Sequence, residues 1–280
     1  MACLMHGDNR DTPRPDSLEA ETGAYRRPNI VAEVLIASAA FFVYWLIRYA
    51  TRNDFSAALA NARKVVDWER GMHLFSERSL QHLVLESRAF VRLLNRYYVS
   101  VHFPITALFL VWVLLRHPVW YRSVRNWLMS LTAVAMVVHV LFPLAPPRML
   151  PYEGFIDTLR TFGPNIYERD VSKSVANQFA AMPSLHFGWS VVVAVMVIAI
   201  LRSRWRYLAL LHPTMTLLAI VGTANHYWLD ALVALLLVTL TGIPVLWQRR
   251  RSLEGRLTAS RGADAADVDR VETPAEYSAR

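Results

Sequence analysis

The chain has 280 residues, 54% of them hydrophobic and 19% charged, with a formal net charge of +8 and a single cysteine. Soluble domains average roughly 45–50% apolar and about 25% charged residues, so the balance excludes a disordered protein and argues against a soluble module built on charge. Cys3 has no partner in the chain, which excludes a disulfide scaffold and a thiolate zinc site. What remains is a membrane protein or an unusually apolar globular one.

Residues 1–28 are polar and carry Arg10, Arg14, Arg26 and Arg27 without an apolar core, so they read as a cytoplasmic N-terminal segment and not as a cleavable signal. A membrane-spanning helix needs roughly 20 mostly apolar residues. Six stretches in 29–248 meet or approach that length: about Ile30 to Ile47, Tyr97 to Leu115, Trp127 to Leu144, Phe187 to Leu201, Tyr207 to Thr223 with a kink expected at Pro213, and Tyr227 to Trp247. VVVAVMVIAIL and ALVALLLVTL are apolar on every face, as lipid-facing helices are and single-stripe surface helices are not. The expected fold is all-α, a polytopic bundle of six transmembrane helices.

Between the first two stretches, Thr51–Arg96 is too charged to span. Phe55, Leu59, Ala62 and Val66 repeat at helical spacing, as do Leu80, Leu83, Phe90 and Leu94. Two amphipathic helices on the outer face are expected there, with a packing role and no chemistry. The last segment, 249–280, is charged and alanine-rich, and its composition predicts a disordered cytoplasmic tail. The loops Arg116–Arg125 and Arg202–Arg206 each hold three arginines and no acid. The positive-inside rule places them and both termini in the cytoplasm, with the protein in the inner or plasma membrane. The basic residues sit at span ends and form no single basic face, so nucleic acid is not an expected partner.

Three clusters carry candidate chemistry, and the topology puts all three on the outer side. Asp230 is the only acid between Asp170 and Glu254 and stands near the start of an apolar span. An ionisable group there is costly unless partnered and is a functional candidate by default. His226 lies four residues earlier, within reach on one helix face. A carboxylate that takes one ring N–H leaves the other nitrogen basic and nucleophilic; the same pair also suits a purely structural link between spans.

The second cluster is Pro183-Ser184-Leu185-His186. Ser184 can cap a helix whose N-terminus attracts phosphate, and His186 falls in its first turn; the plain alternative is a capped helix with an interfacial histidine. The third is the proline-rich run around Arg148, which can grip a phosphoryl group through paired hydrogen bonds or reach to lipid headgroups. Lys173 and Asn225 are further candidate phosphate ligands, and His102, His139 and His212 read as packing or interhelical hydrogen bonds. Together the clusters describe a phosphoryl-transfer site with a covalent histidine intermediate and neither metal nor cofactor. Its partners are a lipid phosphate and a water or polyol acceptor. A non-catalytic lipid transporter using the same polar residues is the alternative. An intramembrane serine protease built on Ser184 is disfavoured, because it leaves Asp230 without a role.

PPRMLP, AMPSLHFGWS and NHYWLDALVA resemble the three motifs of the phosphatidic acid phosphatase type 2 superfamily, over about Asn95 to Trp247. Pro-Ser-Leu-His and His-Tyr-x-x-Asp are most similar to its inositol-phosphorylceramide synthase branch. The resemblance implies a helical bundle with the site at the outer membrane face and a lipid phosphatase or phosphotransferase activity. It implies His226 as nucleophile, Asp230 as its orienting group, His186 as acid and base, and Arg148 with the Ser184 region as phosphate ligands. Leu141, Leu185 and the Ala219-Ile220 pair stand where the broad family has lysine, glycine and serine-arginine. Those departures favour the transferase-like branch.

Overall fold

The structure, a computed structural model, describes residues 28–51, 55–164 and 179–271. Its regular elements are helices in the order α1 (Ile30–Thr51), α2 (Phe55–Gly71), α3 (Glu77–Leu85), α4 (Arg88–Ser100), α5 (His102–Arg116), α6 (Pro118–Leu141), α7 (Thr158–Phe162), α8 (Leu185–Ile200), α9 (Leu211–Gly222) and α10 (Trp228–Val271). Residues 28–243 form one unit, and the chain from Pro244 onward belongs to a second.

Among the described residues, two helices are long and apolar enough to cross a membrane, Pro118–Leu141 and the Trp228–Ser252 part of α10. Helices α4 and α5 make a third if taken as one span bent by 46°. The break is at Val101, just ahead of His102, where the sequence alone predicts an unbroken helix from Tyr97. Ile30–Leu46 and Leu185–Ile200 are shorter apolar helices. The expected fifth stretch divides into a 3-10 turn, Arg204–Leu210, and the helix α9. Pro213 therefore stands in the first turn of α9, where its missing N–H costs nothing, instead of kinking a longer helix. Helix α10 runs on to Val271, into a tail whose composition predicts disorder.

The polar stretch before α5 folds differently from its apolar spacing. On α2 the buried face is Ala58, Ala62, Val65, Val66 and Glu69, and Phe55 is exposed. The 80–94 repeat is interrupted by Ser87, whose side chain accepts from Phe90 N and starts α4. Leu83 is consequently exposed, and Val84, Val91 and Leu94 are buried against Ala219 of α9. Glu33 on α1 is met by Arg125 and by the Tyr121 hydroxyl of α6, which accounts for an acid in an apolar helix.

Helices α6 and α10 are in close contact at Gly242. A Cβ there would strike the Trp127 indole, whose Nε1–H donates to Val238 O at 3.0 Å. Gly242→Ala must displace that buried ring and break its bond, a cost of about 1–3 kcal/mol for an overpacked interior. The expected result is a lower unfolding temperature and lower folded yield in detergent, measured by thermal unfolding; an unchanged melting curve would contradict this packing.

Extended segments join the helices at the end that carries the three motifs. Leu144 N donates to Phe179 O at 2.7 Å and Ala181 N to Leu144 O at 3.3 Å, an isolated parallel bridge between the Arg148 loop and the Ser184 loop. Ala145 N donates to Ala58 O on α2 (3.2 Å), and Asn61 Nδ2 to Pro143 O (3.0 Å). Leu144, Ala145, Met182 and Tyr227 are buried in one cluster with Ala58, Val65 and Val66. Helix α2 thus packs against the segments that carry the three motifs.

Candidate active site

The turn between α9 and α10 presents the histidine. Ala224 N donates to Val221 O and Asn225 N to Ile220 O, both at 2.9 Å, the pair of bonds that closes a Schellman end. The motif needs a left-handed residue, and here Ala224 takes it at φ 56°. Glycine is the ordinary occupant; alanine in that conformation costs about 1–2 kcal/mol. His226 N also donates to Ile220 O, at 3.0 Å. Asn225 and His226 are therefore held by one carbonyl.

His226 lies ahead of α10 and not on it, so the expected shared helix face is not how the pair forms. Asp230 sits in the first turn, and its Oδ2 accepts from Tyr227 N at 3.0 Å, one half of a capping box. The same oxygen lies 3.1 Å from His226 Nδ1, and Ala181 O lies 2.8 Å from that nitrogen. Both partners are acceptors, so Nδ1 carries the proton and neutral His226 has its lone pair on Nε2. Asp230 is fully buried, and its backbone carbonyl accepts from Ser184 N at 3.2 Å.

Ser184 is the N-cap of α8, its Oγ accepting from Phe187 N. Its amide is already given to Asp230 O, which leaves the hydroxyl proton as the donor Ser184 can offer elsewhere. The loop is also pinned through Pro183 O, which accepts from His139 Nε2 at 3.2 Å. His186 follows in the first turn of α8, its ring centroid 6.3 Å from that of His226. Tyr98 and His102 pack on it at 4.5 and 4.8 Å. His212 is engaged by the Tyr97 hydroxyl at 2.6 Å, the interhelical hydrogen bond expected of it.

Arg148 comes to the same turn from the proline-rich loop. Its backbone N donates to Ala224 O at 2.9 Å, and its Nη1 to Asn225 Oδ1 at 2.6 Å. Asn225 in turn donates to Thr223 Oγ1 at 2.6 Å, and Asp157 Oδ2 stands 3.9 Å from Arg148 Nε. Arg148, Asn225, Ser184, His226 and Asp230 are thus joined by hydrogen bonds around one turn, with the His186 ring 6.3 Å from that of His226. Lys173 lies outside the described residues. Among the described residues no group of three or more His, Cys, Asp or Glu side chains has the geometry to hold a metal ion.

Sequence reasoning passed over Ala181, Tyr227 and the acids Glu69 of α2 and Glu77 of α3, whose oxygens accept from Leu229 N and Trp228 N. Acids in an otherwise amphipathic segment carry no signal of burial. Only the register of α2, which puts Glu69 on the face of Ala62 and Val66, hints at it.

The chain is an all-helical protein with helices suited to a membrane. The family model described as the PAP2 superfamily matches residues 63–243, and the chain belongs to that superfamily. No curated protein and no solved structure matches it. Membership points to a phosphoesterase-type enzyme.

Proposed function

We propose that this protein is an integral-membrane enzyme that cleaves a lipid-linked phosphoester through a phosphohistidine on His226. The phosphoryl group then passes to water or to an alcohol such as a polyol, in the manner of an inositolphosphotransferase. The observation that carries the reading is the double acceptor on His226 Nδ1, which leaves the lone pair on Nε2 of a ring whose centroid is 6.3 Å from that of His186. In the first step Nε2 attacks phosphorus, the P–N bond forms, and the P–O bond to the leaving alcohol breaks. His186 supplies the proton that oxygen needs. In the second step His186 takes a proton from the incoming water or alcohol, whose oxygen displaces Nε2 and restores His226. Arg148, held by Asn225, and the Ser184 hydroxyl stabilise the charge on the phosphoryl oxygens. Six spans, cytoplasmic termini and a site at the outer face of the inner or plasma membrane complete the reading, supported by the arginine-rich loops at 116–125 and 202–206.

The test is product analysis with the purified protein in detergent micelles. Phosphatidic acid and phosphatidylinositol labelled in the phosphate are supplied with and without inositol as acceptor. Label is expected in free phosphate or in a new phosphoester, with an acid-labile phosphoprotein trapped on quenching. Label confined to both starting lipids, or lipid movement across vesicles without bond cleavage, would overturn the reading in favour of a transporter.

A further inference from the structure

Two buried carboxyl groups stand outside the phosphate chemistry. Glu69 lies near the end of α2 and Glu77 at the start of α3, and neither is exposed to any extent. Glu69 Oε1 accepts from Leu229 N at 2.8 Å, and Glu77 Oε1 from Trp228 N at 3.1 Å. With Tyr227 N on Asp230 Oδ2, three successive backbone N–H groups at the start of α10 each end on a different acid. A helix leaves its first N–H groups unpaired, and here two of them are met by side chains more than 150 residues away in sequence.

The other two oxygens make the arrangement unusual. Glu69 Oε2 and Glu77 Oε2 are buried and have no hydrogen-bond partner if both groups are carboxylates. A proton on one of them turns that deficit into a Glu69–Glu77 hydrogen bond. Burial, and then the neighbouring Glu77, push the Glu69 carboxyl up to about 9. The pair therefore holds one proton and one charge at neutral pH, and the remaining charge faces the positive end of the α10 dipole. The titratable groups coupled electrostatically to the pair are Asp230 and Tyr227 at the start of α10, and Tyr227 is itself coupled to Tyr152.

We propose that Glu69 and Glu77 are positioning residues, a carboxyl–carboxylate pair sharing one proton that locks the first turn of α10, and through it His226 and Asp230, onto α2 and α3. They touch no reacting atom; they act through the Tyr227–Asp230 segment. The role in turnover rests on the phosphohistidine reading above. The shared proton does not, and the two are tested separately.

Thermal unfolding of the detergent-solubilised protein against pH reads the proton alone. A carboxyl held above its unfolded value stabilises the fold fully below about pH 4.5. That contribution declines as pH rises and is gone above about 9. The wild type should lose unfolding temperature across that window. Glu69→Gln, which keeps an acceptor for Leu229 N and a donor for Glu77 but cannot ionise, should flatten the decline. A decline of the same size in Glu69→Gln overturns the shared proton. The second readout is turnover of whichever of the two labelled lipids the wild type cleaves. Glu69→Ala should lower kcat by about 10- to 100-fold with KM nearly kept, the effect of a displaced nucleophile, and Glu69→Gln should restore it. Wild-type kcat in folded Glu69→Ala, with only its unfolding temperature reduced, overturns the positioning role. If Glu69→Ala does not fold, Glu69→Gln decides: a kcat that falls in the wild type above about pH 9 but is held in Glu69→Gln supports the role, and the same pH dependence in both overturns it.

Discussion

Replacing His226 by alanine is expected to abolish turnover, by on the order of 10⁴-fold or more, while the protein still inserts and folds. The size follows from what the side chain supplies. No other group on this turn combines a lone pair directed at the site with a fixed tautomer, and His186, in the first turn of α8, is assigned to proton transfer. The stability cost is smaller. The variant leaves Ala181 O without its ring partner and Asp230 Oδ2 with only Tyr227 N, at a cost of about 1–3 kcal/mol for a buried acceptor left unmet. Turnover of labelled lipid together with thermal unfolding in detergent separates the two effects. Phosphate release or transfer at the wild-type rate by a folded His226→Ala protein would remove the covalent mechanism.

Arg148→Ala should reduce kcat/KM by roughly 10²- to 10³-fold, the usual loss on deleting one group that stabilises transition-state charge. Arg148→Lys should recover little of it. The guanidinium donates Nη1 to Asn225 Oδ1 and faces Asp157 with Nε, and those two contacts fix the plane of its fork. A lysine ammonium is a single point on a flexible stem and cannot hold Asn225 and a phosphoryl oxygen together. Vanadate inhibition provides the check: the affinity of the trigonal-bipyramidal mimic should fall in parallel with kcat/KM in both variants. Equal vanadate affinity in wild type and Arg148→Ala would place Arg148 outside the anion site.

How much of this was legible in the sequence differs by scale. Asp230 stood out because charge is scarce in an apolar helix, and its partner His226 lay within four residues. The spacing was informative even though the geometry behind it was a capping turn instead of a helix face. Ser184 as a helix cap followed from its place before an apolar run. The gathering of Arg148 and Asn225 at the Ala224 turn was not legible, because it depends on backbone bonds across 76 residues of chain. The left-handed Ala224 was equally hidden, since alanine gives no sign of a conformation that glycine would announce. Glu69 and Glu77 were not legible as buried acids, because an amphipathic segment carries acids as a matter of course. Periodicity places the apolar residues but cannot say that a helix start, 150 residues later, needs acceptors. The same blind spot explains the register error at Phe55 and Leu83, where small residues such as Ala58 and Ala62 mark the buried face better than large ones.

Ile220 O receives the N–H groups of both Asn225 and His226, so the proposed anion clamp and the proposed nucleophile hang from a single hook at the end of α9. The spacing between them is consequently a property of the hook and not of the bundle. Helices can shift against one another, through lipid composition or through substitutions far out on α9, and the two groups will travel as one tool. What such shifts alter is the tool's approach to His186 on α8. Substitutions that loosen α9 should therefore change how fast the enzyme works without changing how its nucleophile and anion clamp fit one another.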